Sequence, residues 1–497
     1  MNFKVPGIYV QEQKYNLNPL NIDSRCLTGF VGIAEKGPLN RITEIKSFDD
    51  YLETFGGFDS AGVLALAVYG YFKCGGKECA VVRVANEADA ACAGLRLGNA
   101  GGGMSFRARS AGHWANGVTV SLWKENDESF SVTLGLRGKT ESYIHLSADR
   151  SSERYFESYI NERSRICSVK NEGLSSVPET VINQPLQGGL DGIANMTAKD
   201  FIGWYRGLND FAGIGSFESR DDISLVAVPD VCWLKDGKEI DAVNKTLVEQ
   251  AERMPGRLAI LDVQENLGPV EAAAWADKFR SQFAASYYPF IDMTDPLDPS
   301  GTRTIRVPPS GSVCGCIAAV DGEHGIYTSP ANRVIDGAVG ISYRPTQGEM
   351  ELLVESGINP LRYFPGNGVK IWGGRTMSPD AEWRYINVRR TFSKVCEALK
   401  KGTQWAVFEQ NDKNLRKRLV RQVSGFLLNL WREGYFAGST AEQGFYVRCD
   451  EELNPPESVD AGMLVCEIGL AIVRPVEFFV IKLAAEKDGA SVYIKEN

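Results

Sequence analysis

Two hydrophobic patterns divide this chain of 497 residues. Residues 26–90 and 196–345 contain short, continuous apolar runs, such as TGFVGIA at 28–34 and ISLVAV at 223–228, separated by amphipathic segments of helical period. Strands that are apolar on both faces and alternate with helices are typical of a mostly parallel sheet covered on both sides. We therefore predict that the two stretches form one α/β domain within a multidomain α/β protein.

The stretch between them, residues 91–195, follows the second pattern. Apolar and polar residues alternate in MSFRARS, GVTVSLW and SFSVTLGL, and this period of two predicts antiparallel strands with one buried face. We therefore predict a β-rich insertion that interrupts the α/β domain. Residues 346–484 mix both periods and are predicted to form an α+β C-terminal domain, with strands at 405–409 and 445–449 on either side of a helix at 412–433.

Both ends of the chain carry a short apolar segment that has no hairpin partner nearby. Residues 1–25 combine the run VPGIYV with a polar linker that contains Pro19, and residues 485–497 contain the run SVYI. A strand without a local partner must pair with something distant, so we predict that both ends are strand arms. The residues predicted to form these strands are Val5, Ile8, Tyr9, Val10, Val492, Tyr493 and Ile494.

The predicted helix at 412–433 has one apolar side and one cationic side. At about 100° per residue, Lys413, Lys417 and Arg421 fall within about 80° of one another, opposite the apolar stripe, and Arg418 flanks them. Like charges four residues apart destabilise an isolated helix slightly. Two interpretations stay open: an ordinary solvated face, or a docking surface for an acidic partner.

Charge and composition exclude several classes of protein. The net charge of -9, from 54 basic and 63 acidic residues, argues against a general affinity for nucleic acid. No apolar stretch is long enough to cross a bilayer, and the first residues lack the basic and apolar regions of a secretion signal. We expect a soluble protein made in the cytoplasm.

Motifs that carry chemistry are missing from the sequence. The eleven cysteines are scattered without a CxxC pair, and only three histidines are present, so we expect reduced thiols and no metal site. There is no phosphate-binding loop, no GxGxxG after the first strand and no GxSxG elbow. We predict no catalytic, cofactor-binding or metal-ligating residues and no cofactor, although a Ser-His-Asp triad assembled in space stays open.

Several segments, in order along nearly the whole chain, resemble the contractile tail sheath protein family. The run at 110–117 is similar to the SPGxWGN motif of that family, with Ala111 and Ala115 departing from it. The other matching segments are VPGIYV at 5–10, FVGIAEKGPLN at 30–40, 47–57, VPPSG at 307–311, 321–325, 329–332, WGGRT at 372–376, WRYINVRR at 383–390, FEQND at 408–412, 449–456 and VRPVEF at 473–478.

The resemblance implies a fold and a function. The central domain would have a subtilisin-like α/β fold without protease activity, and many copies would stack as hexameric rings in a helical sheath around a rigid inner tube. The implied partners are further copies, the inner tube protein, baseplate and terminal cap proteins and other sheath paralogues, with no nucleic acid and no direct membrane insertion. Such a protein would assemble in the bacterial cytoplasm and become part of a phage tail or a released tail-like particle.

Two features acquire specific roles within this family. The terminal arms would pair with the C-terminal domains of neighbouring copies, and the residues Lys413, Lys417, Arg418 and Arg421 would contact the inner tube. Two alternatives remain: a catalytically active subtilisin-like α/β hydrolase, and an oligomeric surface-layer protein with a single lattice state.

Overall fold

A computed structural model describes residues 20–23, 25–58, 62–99, 102–207, 210–254 and 256–477. Its centre is an eight-stranded sheet in which the six inner strands pair in parallel and the two outer strands are antiparallel. In spatial order the strands are Thr43–Ile45, Cys79–Arg83, Leu27–Gly32, Ile223–Ala227, Leu258–Asp262, Ala284–Tyr288, Ile358–Phe364 and Gly368–Ile371. The mixed α/β fold expected from the apolar runs is confirmed.

Both faces of this central sheet are covered by helices. Side chains alternate between the faces of a strand, so Val226 and Leu261 belong to one core, while Leu225 and Ile260 belong to the other. The helices packed on the first core are Ala198–Ile202, Gly237–Arg253, Pro269–Ala276 and Gln347–Glu355. Those packed on the second core are Phe48–Phe55, Leu64–Lys73 and Ser310–His324.

Residues 90–191 form smaller antiparallel sheets around a core of their own. One sheet contains Gly94–Asn99, Gly102–Ala108 and Cys167–Glu172; a second contains Thr119–Lys124, Phe130–Leu136, Lys139–Leu146 and Val181–Pro185; and Ala90–Ala91 pairs with Leu190–Asp191. The helix Phe156–Arg163 packs on this core. Because these strands pair only with one another, the central sheet does not depend on them for its hydrogen bonds.

Two further small sheets complete the strands outside the C-terminal domain. Ile291–Thr294 pairs with Thr304–Val307 and Ala338–Ile341, and Tyr205–Gly207 pairs with Asp210–Phe211.

The C-terminal domain combines two long helices with one pair of strands. The helices are Ile386–Gly402 and Lys413–Arg432, with the short helices Ala441–Gly444 and Pro456–Asp460. The strands Phe445–Arg448 and Glu467–Leu470 form an antiparallel pair. Leu20 is buried in the core of this domain, so the segment that precedes the central sheet packs here within its own chain.

Two sequence-based assignments differ from the structure. Ile358–Phe364 and Gly368–Ile371 were assigned to the unit 346–484 but belong to the central sheet, because Ile358 pairs with Ser286, a partner far away in sequence that a local pattern does not reveal. The strand predicted at 405–409 is a 3-10 turn, Gln404–Ala406, followed by an irregular loop. The predicted arm residues at 5–10 and 492–494 lie outside the described residues.

No helix in the described ranges is long and apolar enough to cross a membrane. No group of three potential metal ligands occurs in that part of the chain. All eleven cysteines are free thiols.

Candidate interaction surface of the C-terminal domain

The helix Lys413–Arg432, called the basic helix from here on, is amphipathic as its period predicts. It begins where the Asp412 carboxylate accepts a hydrogen bond from the backbone N–H of Leu415 at 2.7 Å, which satisfies one unpaired donor of the first turn. Its apolar stripe is buried in the domain core and consists of Leu415, Leu419, Val423, Phe426, Leu427 and Leu430. The stripe fixes which side of the helix faces outward.

Three of the four predicted cations lie on that outward side. Lys413, Lys417 and Arg421 are exposed, and we call them the cationic face. Arg418 differs, because it is half-buried and its guanidinium lies 4.2 Å from the centre of the Trp405 ring. The structure therefore joins three of the cations on one surface and uses the fourth to hold a neighbouring loop.

An acidic loop, residues 450–452, lies along one flank of the cationic face. Lys413 and Glu451 form an ion pair at 2.7 Å in which both side chains are exposed, and Lys413 lowers the pKa of Glu451. Between the helix and this loop runs an open groove of about 720 Å³. Its lining residues are Lys413, Arg416, Lys417, Val420, Arg421, Cys449, Asp450, Glu451 and Glu452. Exposed ion pairs of this kind are weak and screened by salt, so Lys413 can exchange its partner.

The loop at 403–411 is anchored to both flanks of the basic helix. The Trp405 indole N–H donates to the Gln422 side chain at 2.8 Å, and Arg416 donates to the Asn411 side-chain oxygen at 3.2 Å. Between these two anchors Val407 and Phe408 face solvent. Sequence analysis missed this loop because the run WAVF has the composition of a strand.

The strand pair of this domain is open on both sides. Among the residues that the structure describes, neither Phe445–Arg448 nor Glu467–Leu470 has a second neighbouring strand. Unpaired edges offer rows of backbone N–H and C=O groups to a further strand. The inner side of the pair packs on the core that also contains Leu427, so the open edges and the basic helix belong to one rigid unit.

A buried ion pair fixes this unit to the central domain. Arg390, on the helix Ile386–Gly402, donates to both carboxylate oxygens of Asp321 on the helix Ser310–His324, at 2.9 and 2.5 Å. Although burial alone lowers the pKa of Arg390, the negative charge of Asp321 and the neighbouring thiol of Cys26 raise it above its usual value. Nearby, the Asn387 amide donates to the backbone oxygens of Tyr327 and Val473 at 2.7 and 3.0 Å.

The histidines do not form a catalytic triad in the described residues. His113, His145 and His324 each lie beside a carboxylate, at 2.9, 2.7 and 3.6 Å, and their side chains are largely exposed. No serine hydroxyl is hydrogen-bonded to an imidazole in this part of the chain. Ser310 is buried at the first residue of the helix that ends in His324, and 14 steps of 1.5 Å separate the two by about 21 Å.

Two buried aspartates at the ends of neighbouring strands have a structural role. The Asp230 carboxylate accepts from the backbone N–H of Ile33 at 2.7 Å, and the Asp262 carboxylate accepts from the backbone N–H of Ser310 at 2.8 Å. Burial raises the pKa of Asp230 to about 6 and the pKa of Asp262 to about 7. Their partners are backbone amides that begin or end helices and strands, so they tie loops to the sheet.

Comparison with known proteins gives a consistent result. The model of the phage tail sheath protein central domain matches residues 212–377, and the model of the phage tail sheath C-terminal domain matches residues 378–486. A protein of Pseudomonas aeruginosa (strain UCBPP-PA14) described as a prophage major tail sheath protein is 29% identical over 226 residues, which are 44% of this chain and 55% of the relative. The tail sheath protein of Burkholderia phage BcepMu is 29% identical over 222 residues, 42% of this chain and 43% of the relative.

The chain thus spans about half the length of the curated relatives it matches. Among solved structures, the helical sheath of the anti-feeding prophage in the contracted state has a TM-score of 0.61 and 22% identity, covering 97% of this chain and 100% of that one. At this identity the likeness shows a shared fold.

Proposed function

Because this chain belongs to the phage tail sheath protein family, we propose that it is a structural subunit of the contractile sheath of a phage tail or tail-like injection machine. The observation that carries the proposal is a C-terminal domain with an exposed cationic face next to a strand pair whose two edges are unpaired among residues 20–477, as far as that range is described. The first surface suits an acidic tube, and the second suits a strand from another copy.

The strand pair gives a physical basis for polymerisation into stacked hexameric rings. The apolar segments of the arms, at 5–10 and 491–494 of neighbouring copies, add strands to Phe445–Arg448 and Glu467–Leu470, while Leu20 keeps each arm attached to its own C-terminal domain. Backbone hydrogen bonds then hold the copies together while side-chain contacts between them change. Subunits linked in this way can tilt and slide during contraction without separating, and no nucleotide is required.

The cationic face forms the contact with the inner tube. Opposite charges at two surfaces attract each other over about one Debye length and with little directional preference. The contact between the cationic face and the tube is therefore sensitive to salt and can be released during contraction. At its ends the sheath would contact baseplate and terminal cap proteins, and mixed particles would also contain sheath paralogues. The particle is put together in the bacterial cytoplasm.

The central domain serves as a scaffold in this proposal. Its parallel sheet between helices is compatible with the proposed subtilisin-like fold, and in this proposal it does not act as a protease. Support comes from the described serine hydroxyls, none of which is hydrogen-bonded to an imidazole, and from the long distance between Ser310 and His324. An active hydrolase would react with a serine-directed covalent probe, and we expect no labelling of the folded chain.

Electron microscopy of the purified chain tests the polymerisation proposal. We expect long tubes that exist in two diameters, whereas a surface-layer protein would form one lattice only. Removing residues 1–12 or 485–497 should leave a folded chain that does not polymerise. Normal sheaths from either truncated chain would contradict the arm model.

Charge reversal tests the tube contact. The variant K413E/K417E/R421E should bind tubes of the inner tube protein less tightly at low salt, while sheath self-association stays unchanged. A matched control is K238E/K245E/R253E, which reverses three exposed cations of the helix Gly237–Arg253 in the central domain. Equal loss in both triple variants would show that only net charge matters, and unchanged binding of the first would remove the contact.

A further inference from the structure

Phe408 is the most exposed large apolar side chain of the described residues. Its relative exposure is 104%, and that of the adjacent Val407 is 62%. The backbone of Phe408 has a φ of 68°, in the left-handed region that bulky side chains seldom adopt. Exposure of the aromatic ring to water and the left-handed backbone each cost free energy. Backbone strain of this kind is concentrated at functional sites.

The loop around Phe408 is held firmly at both ends. On one side the Trp405 ring is fixed by Arg418 and Gln422 of the basic helix. On the other side Asn411 accepts from Arg416 and donates to the backbone oxygen of Met463 at 2.9 Å. These contacts hold the two ends of the loop on the C-terminal domain, and the ring of Phe408 lies in solvent between them.

The loop that carries the ring ends beside the cationic face. Around the helix axis, Arg418 and Gln422 lie about 100° and 140° from Lys417 on one side, while Arg416 lies about 100° away on the other side and lines the groove, so the loop is anchored to both flanks. Lys413 follows Phe408 by five positions along the chain, so their Cα atoms are at most about 18 Å apart. An exposed aromatic ring therefore lies near three exposed cations and near the acidic loop that pairs with Lys413.

We infer that Phe408 is an anchor that inserts into an apolar recess with an acidic rim on the inner tube. This inference rests on the proposed function and adds to it the chemistry of the tube surface. Charge complementarity to the cationic face favours an acidic partner, and the ring requires an apolar pocket near the acidic groups that meet Lys413. Burial of one ring fixes the position and direction of docking, which the cations alone leave undefined.

Salt separates the contribution of the ring from that of the cations. Burial of apolar surface is not screened by salt, whereas exposed charge pairs weaken as salt increases. The test measures the Kd of the purified chain for preassembled tubes of the inner tube protein by co-sedimentation at low and high salt. A central aromatic anchor commonly contributes enough that F408A should raise Kd about 30-fold at both salt concentrations. K413E/K417E/R421E should differ from the parent mainly at low salt.

Two further variants keep the result interpretable. V270A removes another exposed apolar side chain, 71% exposed on the helix Pro269–Ala276, and should leave Kd unchanged. F408G should bind as weakly as F408A yet unfold at a higher temperature than F408A, because glycine accepts the left-handed backbone. That combination would exclude misfolding as the reason for weak binding.

The outcomes distinguish this inference from the function on which it rests. Equal Kd values for F408A and the parent chain would overturn the anchor and leave the tube contact intact. A parent chain that forms sheaths but does not bind tubes would overturn the tube contact itself. If F408A binds tubes normally and fails to polymerise without them, the ring contacts a second copy of this chain, and the inference is wrong.

Discussion

Replacing Arg390 with methionine should release the C-terminal domain from the central domain. The Arg390 and Asp321 side chains are only 6% and 3% exposed, and they join the helix Ile386–Gly402 to the helix Ser310–His324. Methionine fills much of the arginine volume but leaves the Asp321 carboxylate buried without its cation. The variant therefore tests whether this pair holds the two domains together.

The expected magnitude follows from the burial of both partners. Removing one member of a buried ion pair costs about 3–5 kcal/mol, because the remaining charge is left without compensation. Replacing both members with apolar residues removes that charge as well, so D321L/R390M should recover to within about 1 kcal/mol of the parent chain. R253M breaks an exposed pair with Glu218 and should cost about 1 kcal/mol or less.

Urea unfolding followed by tryptophan fluorescence measures these differences. The C-terminal domain contains tryptophans of its own, including Trp405 and Trp431, so its transition can be followed. In R390M this transition should move to lower urea, and proteases should cleave between the domains. A parent-like midpoint for R390M, or a double variant as unstable as the single one, would refute the reasoning.

Two other predictions concern the central domain. Because burial raises the pKa of Asp262 to about 7, well above that of an unfolded aspartate, its contribution to stability is complete below about pH 4 and is lost as the pH rises through 7. D262N keeps an acceptor for the backbone N–H of Ser310. The free energy of unfolding of D262N relative to the parent should therefore rise by about 2 kcal/mol from pH 5 to pH 8. Equal pH dependence of the free energy of unfolding in the two proteins would contradict this. A Cβ on Gly311 would lie 2.3 Å from the backbone oxygen of Ala67, so G311A should force the helices Leu64–Lys73 and Ser310–His324 apart. Thermal unfolding should show a loss of stability of about 1–3 kcal/mol. Gly348, also helical, has open space at its Cβ, so G348A should be neutral or stabilising; equal effects of both variants would exclude the steric explanation.

The spacing of apolar residues along the sequence predicted those features that depend only on residues close together in the chain. The 3- and 4-residue spacing of Leu415, Leu419 and Val423 defined the buried side of the basic helix, and Lys413 and Lys417 are exposed as that spacing requires. The spacing of apolar residues determines which side of a helix each residue faces, and packing of the apolar side on the core preserves that orientation.

Other features depend on partners that a local pattern does not contain. The strand Ile358–Phe364 has the sequence INPLRYF, which contains no continuous apolar run, and only its pairing with the distant Ser286 assigns it to the central sheet. The run WAVF favours a strand by composition, while Trp405 instead packs on Arg418 and the chain turns at Phe408 with a positive φ. Helix geometry places Arg418 beside the three cations of the cationic face, but it does not reveal that the Trp405 ring covers this side chain.

In the proposed sheath, the strand pair Phe445–Arg448 and Glu467–Leu470 would also determine how copies recognise one another. Main-chain amides and carbonyls are the same in every protein, so hydrogen bonding at an edge accepts any extended segment of suitable length. Discrimination among related chains would therefore come from alternate side chains of these two strands, such as Tyr446 and Ile468. Exchanging these few positions between sheath paralogues would then exchange their neighbours.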